Sequence, residues 1–200
     1  MFKCYRLNME MLPKSSAPRR DARHNRTHIL DVARQAFRTN GVDVSMDAVA
    51  KLAEVGPGTL YRHFPNKDAL LAALLVDHYE ALDRRRVEIE AQDSDPARVL
   101  ERWIDALGDW MVAYEGLPEP LRAACRQESP LTPTCHAVTA TTERILNAAQ
   151  QSGVARGTVT GRDIFLGALA IAWASGASLA EDDTRDVLSD VLRDGWLEQK

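Results

Sequence analysis

Residues 44–71 read VSMDAVAKLAEVGPGTLYRHFPNKDALL, and this stretch decides the fold. Met46, Val49, Ala50 and Ala53 recur at the spacing of one buried helical face, and Ser45 before them suits an N-cap. The pattern breaks at Glu54-Val55-Gly56. Pro57 follows, and proline is tolerated in the first turn of a new helix. Leu60 and Phe64, four apart, then define an inner side, leaving Thr59, Arg62, His63 and the Tyr61 hydroxyl to face outward. Pro65 stops this helix, and Asn66 caps a third whose first turn presents Lys67. The reading is a helix-turn-helix with a recognition helix from about Pro57 to Phe64.

The stretch resembles the DNA-binding segment of the TetR-like transcriptional regulators, above all in GTLYRHFPNKDALL at residues 58–71. The likeness extends upstream through RTHILDVARQAFRTNGVDVSMDAVAKLA, residues 26–53, so it spans roughly the first third of the chain. One position departs: the family usually has glycine in the turn where this chain has Glu54. A left-handed non-glycine residue costs about 1 kcal/mol, so a turn that is either strained or differently shaped is expected, with the motif kept. The resemblance implies Thr59 and Arg62 as base readers, and Tyr61, His63 and Lys67 as phosphate contacts. It adds the backbone N–H groups of Ser45 and Met46 toward phosphate. Pro57 and Gly58 then give close approach and apolar contact.

Charge supports a polyanion partner for one end only. The formal net charge is −4, yet residues 1–70 carry 12 Lys+Arg against 7 Asp+Glu, and residues 71–200 carry 13 against 22. A basic head on an acidic body is expected, and a general nucleic-acid coat is not. Residues 1–22 show no helical period and read as a disordered basic arm, with Arg19, Arg20 and Arg23 either touching DNA or solvated. Met9 and Met11 leave room for an upstream start codon to have supplied the first eight to ten residues. Neither a signal sequence nor an apolar run of the roughly 20 residues that span a bilayer is visible. A cytoplasmic protein without membrane contact is expected.

At 200 residues and 45% hydrophobic the chain can bury a real core. Residues 23–70 form the expected DNA-binding domain and residues 71–200 a helical regulatory and dimerisation domain. A long helix through Leu70, Leu74, Ala81 and Leu82 runs to about Gln92, and Asp93-Ser94-Asp95-Pro96 ends it and caps the next. Val99, Leu100, Trp103, Ile104, Leu107, Trp110, Met111 and Tyr114 continue the helical period. A short helix is expected at about Leu121 to Gln127, and a further period runs through Cys135, Val138, Ile145, Leu146 and Ala149. No strand alternation appears, so the fold class is all-α.

The face formed by Trp103, Trp110, Met111 and Tyr114 is the candidate wall of a pocket for a small apolar or amphipathic ligand. The same stripe also reads as plain core; the resembled family, whose C-terminal domain usually binds an inducer, favours the pocket. Cys135, His136 and Thr139 are further candidates. Zinc needs about four ligands, and no fourth is evident beside Cys125, Cys135 and His136, so neither metal nor cofactor is expected. With Cys4 the cysteines number three, without CxxC spacing, and a disulfide framework is not expected.

Residues 164–179, IFLGALAIAWASGASL, are apolar on nearly every side and must be covered all round. Asp182-Asp183-Thr184 then starts a last amphipathic helix. Either the domain's own core covers these helices, or residues 163–197 pair with a twofold copy, as in the resembled family. Leu169, Trp173, Val187, Leu188, Val191 and Leu192 are the interface candidates. The expected protein is a dimeric regulator, most simply a repressor, that binds double-stranded DNA at a palindromic operator and is released by its ligand. The alternatives are an architectural DNA-binding protein without ligand, and a Cys/His enzyme, for which GxSxG, HExxH and phosphate-loop patterns are all lacking.

Overall fold

The computed structural model describes residues 17–177 and 180–198, and the fold is all-α. Four elements build the head. Helix α1 (Ala17–Asn40) begins inside the segment read as a disordered arm, so residues 17–22 are helical. Pro18 lies in the first turn, where its missing N–H has no intrahelical partner to lose. Residues 1–16, with Cys4, lie outside the described residues.

Helix α2 (Met46–Leu52) starts at Ser45, whose side chain accepts the Ala48 N–H. Helix α3 (Pro57–His63) starts on Pro57. Helix α4 (Lys67–Gln92) starts at Asn66, whose side chain accepts the Ala69 N–H. Ile29, Ala33 and Phe37 of α1 close over Val49, Leu60, Phe64 and Leu70, all buried. Glu54 takes φ 53°, so of the two outcomes open to this turn the left-handed, strained one holds.

The body follows from the next caps. Asp95 accepts the Ala97 N–H and Pro96 opens α5 (Pro96–Met111). Helix α6 (Pro118–Ala124) starts three residues before the expected place, because Pro118 occupies its first turn and starts the helix where the sequence suggested a break. Helices α7 (Thr132–Gln151), α8 (Gly161–Ser175) and α9 (Thr184–Trp196) complete the order. Thr160 and Asp163 form a reciprocal capping box at the start of α8. At Gly161 a Cβ would stand 2.4 Å from the Glu143 backbone nitrogen, so only glycine lets α7 and α8 cross this closely.

Head and body meet at a tight joint. The Val42 N–H donates to the Glu115 carbonyl at 2.8 Å. Gly41 (φ +70°) would drive a Cβ to 2.9 Å from that carbonyl oxygen, and Gly116 (φ +77°) faces Val42 at 3.0 Å. Arg34 of α1 pairs with Asp77 of α4 at 2.7 Å. Tyr114 packs its edge on Phe37 and shares a 2.9 Å hydrogen bond with His78. Burial, then Arg38 and Arg34, lower the His78 pKa against the opposing pull of Asp77. Burial raises that of the Tyr114 phenol. A neutral imidazole and a neutral phenol therefore hold this joint at neutral pH.

Candidate nucleic-acid interface

The turn between α2 and α3 is fixed from below. His28 of α1 makes a 3.1 Å hydrogen bond to the Ala53 carbonyl, tying the end of α2 to the first helix. Leu60 and Phe64 clamp the inner side of α3 into the head's core, both essentially unexposed. The outer side is then presented as a unit.

On that outer side Tyr61 and Arg62 are exposed, and Thr59, His63 and Lys67 are half-buried. A Cβ added at Gly58 would meet nothing within 4 Å, so internal packing does not require the glycine. A surface left bare for no internal reason suits close approach by another molecule. The Arg62 side chain lies back along its helix, donating to the Gly58 carbonyl at 3.0 Å and to the Thr59 hydroxyl at 3.1 Å. The two expected base readers are thus held together. Lys67 donates to the Val42 carbonyl at 2.9 Å, and an ammonium has three donors, so two remain for a phosphate. Met46 is buried and offers only its backbone.

One residue escaped the sequence reading. Arg26 of α1 stands 5.0 Å from the Phe64 ring centre, which brings an exposed guanidinium to the end of the recognition helix. The signal was a basic residue one turn before Ile29, whose burial fixes the rotation of α1.

The expected ligand wall is not one wall. Trp103 is buried and donates to Thr142 Oγ1 at 2.9 Å, and Met111 is fully buried, so both belong to the core. Helix α5 ends at Met111, so the period read through Tyr114 overruns it and Tyr114 turns into the joint instead. Trp110 alone of the four lines a cleft between α4 and α5, of about 350 Å³. Tyr114 edges a separate cleft of about 600 Å³ beside the joint. Cys135 is buried with its thiol pushed up to about 12 by desolvation. Thr139 spends its hydroxyl on the Cys135 carbonyl at 2.8 Å, and His136 is exposed, so these three line no common cavity. Neighbouring helical positions point about 100° apart, which is why Cys135 and His136 separate.

The interface candidates also divide. Leu169 is buried in the protein's own core and is not available to a partner. Leu188 and Leu192 are half-buried, Leu192 because it packs over Gly167 of α8. Trp173 (60%), Val187 (53%) and Val191 (64%) are exposed, joined by Leu166 at 37%. Residues one turn from Leu169 on α8 carry the outward face in its place.

Residues 29–74 match the family model for bacterial regulatory proteins of the tetR family. Residues 95–197, more than half of the chain, match the C-terminal domain of SbtR-like transcriptional regulators. The chain belongs to the TetR family of transcriptional regulators. This TetR-family chain is 44% identical over 72 residues to the regulator UidR of Escherichia coli K12, a match over 35% of the chain and 37% of UidR. A TetR regulator from Streptomyces coelicolor is 27% identical with TM-score 0.56, covering 88% of this chain and 99% of that one. RolR in complex with resorcinol shares the fold at 19% identity and TM-score 0.62, covering 89% of this chain and 90% of its own. The two family models thus cover the head and most of the body, while the chain matches only 37% of UidR's own length.

Proposed function

We propose that this regulator is a repressor that binds a palindromic operator as a homodimer and is released by a small molecule. The observation that carries the dimer is the exposed apolar strip of Leu166, Trp173, Val187 and Val191 on α8 and α9. Exposed apolar residues of this size on two helices that pack together are costly in water and gain by pairing with a twofold copy. Two heads then face successive major grooves, about 34–36 Å apart, so a palindrome fits.

In each head α3 enters the major groove. Thr59 and Arg62 read base edges, Arg62 leaving its present bonds to Gly58 and Thr59 for a guanine. Tyr61, His63, Lys67 and Arg26 grip the backbone on either side, with Ser45 at the start of α2. Repression follows from occupying DNA that polymerase needs, in the cytoplasm where that DNA lies. A ligand that favours another spacing of the heads releases them, provided it binds the two states unequally. The clefts beside α5 give such a ligand room and favour this reading over an architectural protein.

Footprinting on the DNA upstream of this protein's own gene tests the reading. Two protected half-sites related by a dyad are expected, and deletion of the gene should raise transcription from that promoter. Uniform protection of unrelated DNA, or a fall in transcription on deletion, contradicts it.

A further inference from the structure

The middle of the body is filled: Leu100 and Leu107 have no exposure, and Trp103 spends its one donor on Thr142. Room lies instead between α4 and α5, where His78, Leu82 and Arg85 face Arg102, Ala106 and Trp110. We propose that this cleft takes a straight-chain amphipathic carboxylate with a second, uncharged acceptor oxygen near its far end. The inference rests on the ligand-released reading above and names the ligand's chemistry.

The charge balance selects an anion. Arg85 donates to Glu88 on its own helix at 3.2 Å, with both side chains about half exposed. Arg102 donates to the neutral Gln92 amide at 2.7 Å and stands 3.7 Å from Asp93. A guanidinium has five donors in a fork that fits a carboxylate, so both arginines keep donors to spare. The acids on the cleft are less free to attract a cation. Asp109 is held by Arg185 at 2.7 Å, and burial pushes the Asp105 carboxyl up toward its neutral form.

The shape selects a chain. The cleft follows α5 from Arg102 to its end and on to Ala113 beyond it; Arg102 to Met111 alone is nine residues, or roughly 13 Å at the helical rise. Leu82 and Ala106 give it apolar sides between the charged end and Trp110.

Trp110 selects the second oxygen. Its indole Nε1 is closed off from solvent and has no hydrogen-bond partner among the described residues. A buried indole N–H ordinarily has an acceptor. Trp110 lies eight residues from Arg102, so an acceptor there stands roughly 12 Å from the carboxylate along the axis. In the proposal α4 and α5 part slightly to admit the acceptor to the covered N–H, and α4 carries Lys67 and Leu70 of the head at its other end. The filled and empty states therefore differ where the head is attached.

Calorimetric titration with 10-hydroxydecanoate, decanoate, 1-decanol and decylamine tests the proposal on the full-length protein. The hydroxy acid is expected to bind saturably and at least tenfold tighter than decanoate, with no saturable binding of the alcohol or the amine. Arg102→Gln and Arg85→Gln should each weaken both acids at least tenfold with operator affinity unchanged. Trp110→Phe should remove the preference for the hydroxy acid and leave decanoate as in wild type. Absence of saturable binding by either acid overturns the proposal, as do equal binding of alcohol and acid or a hydroxy-acid preference that survives Trp110→Phe. The titration needs no DNA, so it stands or falls separately from operator binding, which is measured in the same preparations.

Discussion

Arg62 and Lys67 both carry positive charge on the head, and the proposed operator complex gives them different work. Arg62 sits on α3 beside Thr59, where in that proposed complex its fork of donors meets base edges, and Lys67 sits at the start of the next helix, where in the same complex its ammonium lies over the DNA backbone. Arg62→Ala should therefore flatten preference among operator variants, costing about 1–3 kcal/mol on the best site. Lys67→Ala should weaken every duplex alike and reduce the slope of log affinity against log salt by about one. Binding of each variant across a salt series separates the two. At the joint, His78 gives a pH dependence whose sign is fixed. Its folded pKa lies below the ordinary value of about 6.5, so the unfolded chain takes up the proton first. Its contribution is present above about 6.5 and is lost as pH falls through that value toward the folded pKa. Denaturant melts from pH 7.5 to 5 should show stability falling with acidification, and His78→Gln should flatten that fall.

Elements were legible in the sequence where local chemistry specifies an end. Ser45, Asn66 and Asp95 accept the N–H groups expected of caps, and Pro57 and Pro96 open their helices. Glu54 stood out as a misfit in a glycine position and does take a left-handed conformation. Glu54→Gly should raise stability by about 1 kcal/mol in urea melts without changing the head's fold. What stayed hidden depends on tertiary partners. Periodicity puts Leu169 and Trp173 on the same helical face, one turn apart, but only packing shows Leu169 buried and Trp173 exposed. It cannot show that α5 stops before Tyr114, nor that Arg26 stacks on Phe64 across the head. The α7–α8 crossing is of the same kind, since Gly161 reads as an ordinary helix-start residue until the Glu143 backbone is seen against it. Gly161→Ala should cost about 1–3 kcal/mol by overpacking, read as a lower midpoint with an unchanged urea slope. An unaltered midpoint contradicts the close crossing.

At the scale of the molecule, the basic head and the acidic body are joined by α4 and by the short contact of Gly41 and Val42 with Glu115 and Gly116. The arrangement ties the head's position to the body, and the proposed ligand between α4 and α5 acts through that tie. In the proposed dimer two heads are held at a defined spacing, and the exposed apolar residues of α8 and α9 are what would hold them. Val191→Glu places a charge on the most exposed of these residues, so the protomer should fold normally and fail to pair. The most direct measurement is a titration of a palindromic duplex, obtained by selection from random DNA, with wild type and with Val191→Glu, alongside sedimentation of each protein. Wild type should sediment as a dimer and bind two protomers per palindrome, with a duplex carrying one half-site at least a hundredfold weaker. Val191→Glu should sediment as a folded monomer and bind palindrome and half-site with the same weak affinity. A wild type that is monomeric, or that binds half-site and palindrome equally, contradicts the account.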